Sequence, residues 1–230
     1  LFPRQREFLA WVSAHEAMAR ATRLDQEVVV VKCREVGATW VCALYAVHGW
    51  LFRPNYIVGF GSNKVESVDL LGNPKCIFEK LRWLIRALPT WLLPKKFNDK
   101  KNLGYLRIVN PENGSAIIGE GGPNMGRSGR VDGYFVDEAA HIERPEEVDA
   151  ALMTVAALRV NISTPCGMGN TFAKKRWSYP SEGVFTIKWS DDPRKNKVWY
   201  AHMKRTFDPV SFAQNIDIDY SASVEGVCVP

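Results

Sequence analysis

Four consecutive valines, Val28 to Val31, are followed by an eight-residue loop and then by a long apolar segment. A continuous apolar run of this kind is typical of a strand that is buried on both faces of a parallel sheet. The loop runs from Lys32 to Thr39 and contains Gly37 near its end. A glycine-containing loop between a strand and a helix is the arrangement in which backbone N–H groups bind phosphate. The sequence therefore predicts a phosphate-binding loop at the end of a buried strand.

The position of the lysine in this loop is unusual. The ordinary pattern is G-x-x-x-x-G-K-[ST], in which the lysine reaches the phosphates and the hydroxyl binds Mg²⁺. Gly37 and Thr39 match this pattern, but Ala38 stands in the lysine position. Lys32 stands in the first glycine position, from which its long side chain can extend to the same phosphates, and Arg34 offers a second cation. For this segment alone, an ordinary strand-to-helix turn is the alternative.

Length and composition allow one sizeable core. The chain has 230 residues, 46% of them apolar, and its net charge of +5 permits a polyanionic partner without requiring one. Its five cysteines and four histidines are scattered, so the sequence predicts a reduced, cytosolic protein without a zinc site. No apolar run approaches the roughly 20 residues that a membrane-spanning helix needs, and we expect no membrane association.

Strand-like and helix-like segments alternate along the chain. The spacing of apolar residues predicts helices over about 4–20, from the loop to Phe52, and over 65–88. It predicts strands at 56–60, 134–136, 158–162 and 184–189, and a hairpin from 105–109 and 116–118. Such alternation is typical of a three-layer α/β domain with a mainly parallel sheet. Functional residues should then cluster beyond the carboxyl ends of the strands.

Two acidic residues, Asp137 and Glu138, directly follow one of these strands. A carboxylate about a hundred residues after a phosphate-binding loop is typical of the ligand for the Mg²⁺ that bridges the β- and γ-phosphates. A second carboxylate beside the metal can orient the attacking water and accept its proton. The alternative is an acidic helix N-terminus, where the helix dipole favours carboxylates.

Two arginines, Arg127 and Arg130, lie on a glycine-containing segment just before that strand. The guanidinium group suits transition-state phosphate because its planar donors are fixed and always charged. Such an arginine can act in its own subunit or on the nucleotide of a neighbour. A surface arginine that binds backbone carbonyls is the alternative for each.

Two further segments carry weaker patterns. Ser163, Thr164 and Pro165 end a strand, where small hydroxyls can sense the γ-phosphate, although a simple turn is the alternative. Gln5 lies in the first turn of the first helix, and its amide offers the donor and acceptor that match the edge of adenine. A solvated glutamine is the alternative there.

Taken together, these motifs resemble those of the ATPase domain of the large terminase subunit, the DNA-packaging motor protein of tailed bacteriophages. The segment F-P-R-Q-R-E-F-L resembles the family's adenine-recognition motif. The segment K-C-R-E-V-G-A-T-W resembles its deviant Walker A motif. The segment G-R-S-G-R resembles the family's loop-arginine motif. The segment Y-F-V-D-E-A-A-H resembles its Walker B motif with the catalytic glutamate. Its coupling motif resembles S-T-P, and its junction into a nuclease domain resembles D-I-D-Y-S-A-S-V-E-G-V. Asn215 departs from the family pattern, in which an acid is expected.

The resemblance implies an additional-strand, RecA-like P-loop NTPase with a small C-terminal lid segment. Residues 1–190 would form the ATPase core, and residues 191–230 the lid and a linker toward a nuclease domain outside this chain. The implied roles are adenine recognition by Gln5, phosphate binding by Lys32, Arg34, Gly37, Ala38 and Thr39, Mg²⁺ binding by Thr39 and Asp137, catalysis by Glu138, Arg127 and Arg130, and coupling by Ser163, Thr164 and Pro165.

The resemblance further implies an ATP hydrolase, with ATP and Mg²⁺ as cofactors, that drives double-stranded viral DNA into a procapsid. Its partners would be the DNA, the portal protein and the small terminase subunit, and it would form a homo-oligomeric ring on the portal in the host bacterial cytoplasm. Nuclease activity is expected only of the full-length protein. Two alternatives remain: a helicase-like DNA translocase, and a non-catalytic nucleotide-binding module, which Ala38 in the lysine position would favour.

Overall fold

The computed structural model describes residues 1–222, and these contain one eight-stranded sheet. Along the sheet the strands follow the order β3-β4-β5-β2-β6-β7-β1-β8. The strands are β1 (Gln26–Lys32), β2 (Ile57–Ser62), β3 (Leu103–Gly104), β4 (Arg107–Val109), β5 (Ala116–Gly121), β6 (Val131–Asp137), β7 (Ala156–Ser163) and β8 (Val184–Ile187). The six strands from β5 to β8 in this order are parallel, and β3 and β4 add an antiparallel edge. The predicted mainly parallel sheet is therefore confirmed.

Helices cover both faces of the sheet. They are α1 (Pro3–Thr22), α2 (Ala38–Phe52), α3 (Val65–Val68), α4 (Ile77–Arg86), α5 (Asp99–Asn102), α6 (Pro145–Val155), α7 (Thr171–Ser178), α8 (Lys197–Thr206) and α9 (Pro209–Phe212). Val28 and Val30 pack into the core that contains residues of α1, α2 and α4. Val29 and Val31 pack into a second core against α6 and α7. The valine run is thus buried on both faces, as predicted, because successive side chains of a strand point to opposite faces.

The long helix predicted over 65–88 is wrong. The structure has two helices there, α3 and α4, separated by a loop that contains Gly72 and Pro74. Gly72 has a φ of +81°, which a helix does not allow, and proline lacks the N–H that a helix interior needs. The loop is held by Asp69, whose buried carboxylate accepts two hydrogen bonds from Arg82 on α4, at 2.8 and 2.7 Å.

Other differences from the sequence prediction concern the second half of the chain. The last strand ends at Ile187, and Trp189 begins a short 3₁₀ turn instead of continuing the strand. The sequence analysis did not predict α6, α7 or α8. Within the described residues, no helix is both long enough and apolar enough to cross a membrane.

The described part of the predicted lid, residues 191–222, packs against the core. Trp189 stacks on Tyr200 of α8, with ring centroids 4.6 Å apart. Phe212 and Ile216 are buried in the core that contains α1 and α2. The boundary at residue 190 and the lid function stay predictions, and residues 223–227 of the predicted nuclease junction lie outside the described part of the chain.

A half-buried ionic network joins β1 to α6 and α7 on the face opposite α2. Glu27 accepts hydrogen bonds from Lys175 Nζ and from the Tyr179 hydroxyl, both at 2.6 Å, and from Asn161 Nδ2 at 2.9 Å. Lys175 Nζ also lies 2.6 Å from Asp149 on α6. Burial raises the pKa of Glu27, but the charge and hydrogen bonds of Lys175, Tyr179 and Asn161 outweigh it and leave the pKa below its ordinary value of 4.5.

Replacing Glu27 should therefore reduce stability in a pH-dependent way. Because the folded-state pKa is lowered, the ionised carboxylate stabilises the fold above pH 4.5, and this contribution is lost as the pH falls through the folded-state pKa. We expect Glu27→Gln to lower the free energy of unfolding by about 1–3 kcal/mol at pH 7, measured by urea denaturation, since buried donors lose their charged acceptor. The difference should shrink below pH 4.5.

The matched control is Glu147→Gln. Its carboxylate is exposed and lies 3.6 Å from Arg144, so its loss should cost less than about 1 kcal/mol. An equal destabilisation by Glu27→Gln at pH 7 and at low pH would show that packing, and not charge, explains the effect.

Candidate functional site

Apart from the two arginines, the predicted site residues meet where β6, β7 and β1 end. These strands are adjacent and parallel, so their carboxyl ends lie at the same edge of the sheet. Val31 is level with Ser163, and Asp137 is level with Ile162. Residues separated by about a hundred positions are thus brought to neighbouring strand ends, as expected for an open α/β sheet.

Two side-chain contacts connect the loop to the acidic pair. Lys32 Nζ donates to Glu138 Oε1 at 3.1 Å, and the hydroxyl of Thr39, in the first turn of α2, donates to Asp137 Oδ2 at 2.8 Å. The Glu138 N–H also donates to Asp137 Oδ1, at 3.2 Å. Glu138 has a φ of +54°, so the chain turns sharply after the strand. The Lys32 side chain therefore extends from the end of β1 to the acidic pair at the end of β6.

Burial dominates the electrostatics of this acidic pair. Asp137 is half-buried, and this desolvation raises its pKa; the positive charge of Lys32 lowers it, the nearby Glu138 raises it further, and the net direction is upward. The Lys32 side chain is 9% exposed, whereas that of Glu138 is 41% exposed. A buried carboxylate whose ionised form is disfavoured is stabilised by an added cation.

The loop presents a cradle of backbone N–H groups at the start of α2. Gly37 and Glu35 have φ angles of +73° and +60°. No side chain caps α2. Within residues 1–222, the N–H groups of Glu35, Val36 and Gly37 have no hydrogen-bond acceptor. Free N–H groups at a helix N-terminus bind anions, and the helix dipole favours negative charge there.

The other loop residues are held by their backbones. The Arg34 N–H donates to the carbonyl of Asn215 at 2.7 Å, and Lys195 Nζ donates to the Arg34 carbonyl at 2.6 Å. The Arg34 side chain is exposed. Ala38 is 2% exposed and packs in the core, so the usual lysine position is occupied by a buried methyl group. Asn215 thus contacts the loop through its backbone, while its side chain donates to the Ser211 carbonyl.

Gln5 docks directly on the loop. Its Nε2 donates to the Val36 carbonyl at 3.0 Å, and its Oε1 accepts from the Phe2 N–H at 3.3 Å. The side chain is buried. Gln5 therefore fixes the N-terminus of α1 against this cradle, and adenine recognition by this residue stays a prediction.

The two arginines take different positions. Arg130 directly precedes β6, whose seven residues span about 20 Å, so its side chain lies at the opposite edge of the sheet and is too far from Glu138 to act in its own subunit. Arg127 is exposed, on the loop after β5. Four strand spacings, about 19 Å, separate β5 from β1. Within the described residues, the Arg127 guanidinium has no hydrogen bond or ion pair.

The segment from Ser163, the last residue of β7, to Pro165 is buried between the loop and the acidic pair. Ser163 is fully buried, and its Oγ has no hydrogen-bond partner among the described residues. Thr164 and Pro165 are also buried. The strand β7 lies between β1 and β6, so this segment is well placed for the predicted coupling role.

Sequence reasoning missed two lysines at the site. Lys195 lies with its Nζ 3.9 Å from Cys33 Sγ, and burial raises the pKa of that thiol to about 11 although Lys195 and Lys32 oppose the effect. Lys80 on α4 is partly buried; burial lowers its pKa, and the negative charge of Asp137 acts in the opposite direction. No motif in the sequence marks either lysine, because tertiary packing alone brings Lys195 to the loop and Lys80 within the influence of Asp137.

Solved structures of large terminases have the same fold. The large terminase of a thermophilic bacteriophage aligns with a TM-score of 0.67 at 15% identity, over 96% of this chain and 54% of its own. The ATPase domain of the Thermus phage P74-26 large terminase aligns with a TM-score of 0.58 at 18% identity, over 84% of this chain and 88% of that domain. The predicted terminase-like P-loop fold is therefore confirmed.

The thermophilic phage terminase has also been crystallised with nucleotides. Its ADP complex aligns with a TM-score of 0.67 at 16% identity, and its ATP-gamma-S complex with a TM-score of 0.66 at 16% identity. The present chain spans about half the length of these terminases, 54% and 53% respectively. Neither a protein-family model nor a curated protein sequence matches it.

Adding a methyl group at Gly37 should disrupt the cradle. A Cβ there would lie 2.8 Å from Gln5 Nε2 and would displace the amide from the Val36 carbonyl. We expect Gly37→Ala to weaken binding of a fluorescent ATP analogue by about tenfold or more, equivalent to about 1.4 kcal/mol.

Gly72→Ala is the matched control for this substitution. Gly72 also has a positive φ, +81°, but its Cβ would meet nothing within 4 Å. Both variants should lose about 1 kcal/mol of stability from backbone strain, whereas only Gly37→Ala should lose affinity. Equal loss of affinity in the two variants would contradict a local effect on the loop.

Proposed function

We propose that this chain is an ATP hydrolase, the ATPase domain of a large terminase that powers translocation of double-stranded DNA into a viral procapsid. The observation that carries the proposal is the joining of the loop to the acidic pair, through Lys32 with Glu138 and Thr39 with Asp137. The terminase fold of the solved neighbours supports it, as do their ADP and ATP-gamma-S complexes.

The residues present fit a triphosphate. The free N–H groups of the loop lie at the N-terminus of α2, where phosphate oxygens would accept their hydrogen bonds. Lys32 supplies a nearby ammonium, and the exposed Arg34 supplies a second cation at the loop surface. Gln5 lies against the same loop and is the residue that would recognise adenine.

The residues also fit Mg²⁺. Thr39 and Asp137 offer a hydroxyl and a carboxylate oxygen 2.8 Å apart, and hard oxygen ligands are those that Mg²⁺ prefers. Magnesium proteins commonly supply only one or two side chains, the rest of the shell being water and phosphate. When bound, the ion would neutralise charge that develops on the phosphates. It would also relieve the unfavourable burial of the Asp137 charge.

Glu138 is the residue proposed to orient and deprotonate the attacking water. Its side chain is partly exposed, so water can reach it, and it is ion-paired with Lys32. Phosphates that bind Lys32 would compete for the same ammonium and would release the Glu138 carboxylate. The base would thus become available only when nucleotide occupies the loop.

The remaining parts of the proposal concern the assembled motor. Arg127 would stabilise transition-state charge on a neighbouring subunit's nucleotide, and Ser163, Thr164 and Pro165 would couple hydrolysis to motion. The partners would be duplex DNA, the portal protein and the small terminase subunit, in the host bacterial cytoplasm. Nuclease activity would belong to the full-length protein.

The first test is Glu138→Gln. This change keeps the shape of the side chain but removes the base, so ATP binding should persist while phosphate release falls by a factor on the order of 10² to 10⁴. The control is Glu143→Gln, since Glu143 is exposed and makes no hydrogen bond or ion pair within residues 1–222. Near wild-type turnover in Glu138→Gln would refute the assignment.

Phosphate release, measured together with ATP binding and DNA strand separation, distinguishes the two alternative functions. A wild-type chain that binds ATP but releases no phosphate, with Mg²⁺ and duplex DNA present, would be a non-catalytic nucleotide-binding module. Hydrolysis accompanied by strand separation would instead favour a helicase-like translocase.

The trans role of Arg127 can be tested by mixing variants. Arg127→Ala and Glu138→Gln should each be defective alone, because an arginine finger contributes roughly 10³ to 10⁵ in rate. In a randomly mixed ring at equal concentrations, about one quarter of the sites would pair an intact glutamate with a neighbour's intact arginine. Phosphate release should then recover to about that fraction of the wild-type rate. No recovery, under conditions where light scattering shows association, would mean that Arg127 acts within its own subunit or only structurally.

A further inference from the structure

A single buried carboxylate holds the loop that carries Arg127. Glu120, on β5, is 7% exposed, and its Oε2 accepts from the Gly126 N–H at 2.6 Å. Its Oε1 accepts from the N–H groups of Arg127 at 3.2 Å and Ser128 at 2.8 Å, and from the Ser128 hydroxyl. Three consecutive backbone donors thus converge on one anion, in the manner of an anion-binding nest.

The fifth donor comes from the strand that leads to the acidic pair. The Tyr134 hydroxyl, on β6, donates to Glu120 Oε2 at 2.8 Å. Burial, and then the charge of Glu120, raise the pKa of Tyr134 well above its ordinary value, so the hydroxyl keeps its proton. No Lys, Arg or His pairs with Glu120 within residues 1–222, so hydrogen bonds alone satisfy its charge.

Beyond Gly126, which is buried against Ala151 and Leu152 of α6, few other contacts fix the shape of the loop. No backbone hydrogen bond other than those to Glu120 involves the N–H groups of residues 126–128. Met125 is fully buried and anchors the start of the loop, whereas Arg127 to Arg130 are exposed. Charge-assisted hydrogen bonds are roughly twice as strong as neutral ones, so Glu120 is the main restraint on the Arg127 backbone.

We propose that Glu120 is a positioning residue: its carboxylate fixes the backbone from which the Arg127 side chain projects, and so sets where the guanidinium meets phosphate. The proposal rests on the function proposed above for Arg127. A displacement of about 1 Å at a catalytic group can cost on the order of 10² in rate, so a mobile loop would slow turnover without weakening nucleotide binding at Lys32.

The main variant is Glu120→Gln, tested in the whole chain at concentrations where subunits associate. The glutamine amide would place an N–H₂ donor opposite the backbone N–H donors of residues 126–128. The loop should therefore become more mobile. We expect kcat to fall about tenfold to a hundredfold while the KM for ATP stays within about twofold of wild type. In an Arg127→Ala background, Glu120→Gln should cause no further fall in kcat, because the two changes remove the same contribution, that of the Arg127 guanidinium.

Two controls separate positioning from stability. Tyr134→Phe removes one buried hydrogen bond to Glu120 but leaves the backbone donors in place, so it should lower Tm and leave kcat unchanged. Glu66→Gln makes the same chemical change beside the same 580 Å³ cavity that Arg127 lines, at an exposed residue without partners among those described. It should change neither quantity.

Amide hydrogen exchange provides a readout that needs no activity. The N–H groups of Gly126, Arg127 and Ser128 should exchange slowly in the wild type and much faster in Glu120→Gln. If Glu120→Gln does not fold, Glu120→Asp tests the positioning role instead. Aspartate keeps the negative charge, but its side chain is shorter by one methylene, so the carboxylate lies further from the N–H groups of residues 126–128. Faster exchange and slower turnover in Glu120→Asp would support the proposal.

Several outcomes would overturn this inference. These are unchanged exchange at residues 126–128, unchanged kcat in the folded variants, or an equal further loss of rate in the Arg127→Ala background. The failure of the proposed function looks different: a wild-type chain without ATPase activity would refute the hydrolase assignment, whereas an active wild type with an equally active Glu120→Gln would refute only the positioning role.

Discussion

The placement of β7 between β1 and β6 is the constraint on which the site depends. Three parallel strands that end at one edge bring together a lysine, a buried hydroxyl segment and an acidic pair from distant parts of the chain. Strand spacing is nearly fixed by backbone hydrogen bonding, so the distances between these ends are set by the sheet and not by flexible loops. The contact of Lys32 with Glu138 and that of Thr39 with Asp137 follow from this geometry.

The charges at this edge are only partly balanced. Asp137 is half-buried beside Glu138, and Lys32 is the cation that approaches both carboxylates most closely in the described contacts. The cradle of N–H groups at α2 adds positive potential a short distance away. In the proposed function a metal ion and an anionic ligand would bind here together, since each would offset the charge of the other and of the carboxylates.

Buried and half-buried carboxylates also organise the parts of the molecule away from this edge. Glu27 joins β1 to α7, Asp69 holds the loop before α4 through Arg82, and Glu120 holds the arginine loop. In each case the charge is satisfied by several donors, as burial requires. Removing one partner of such a contact leaves a charge or several donors without partners, so each contact also disfavours other arrangements of its segment.

The sequence by itself determined the buried strand, the glycine-containing loop that follows it and the acidic strand end, because each depends on a local pattern of residue types. It also determined the α/β class, from the alternation of segments, and thereby the shared edge. Tertiary structure decided the rest. The break between α3 and α4 and the existence of α6 to α8 depend on packing that competes with weak local patterns. The opposite placement of Arg127 and Arg130, three residues apart, depends on a loop that crosses from one edge of the sheet to the other. Glu120 became visible as the anchor of that loop only when β5 placed it there, since nothing in the surrounding sequence marks a carboxylate that binds three backbone amides.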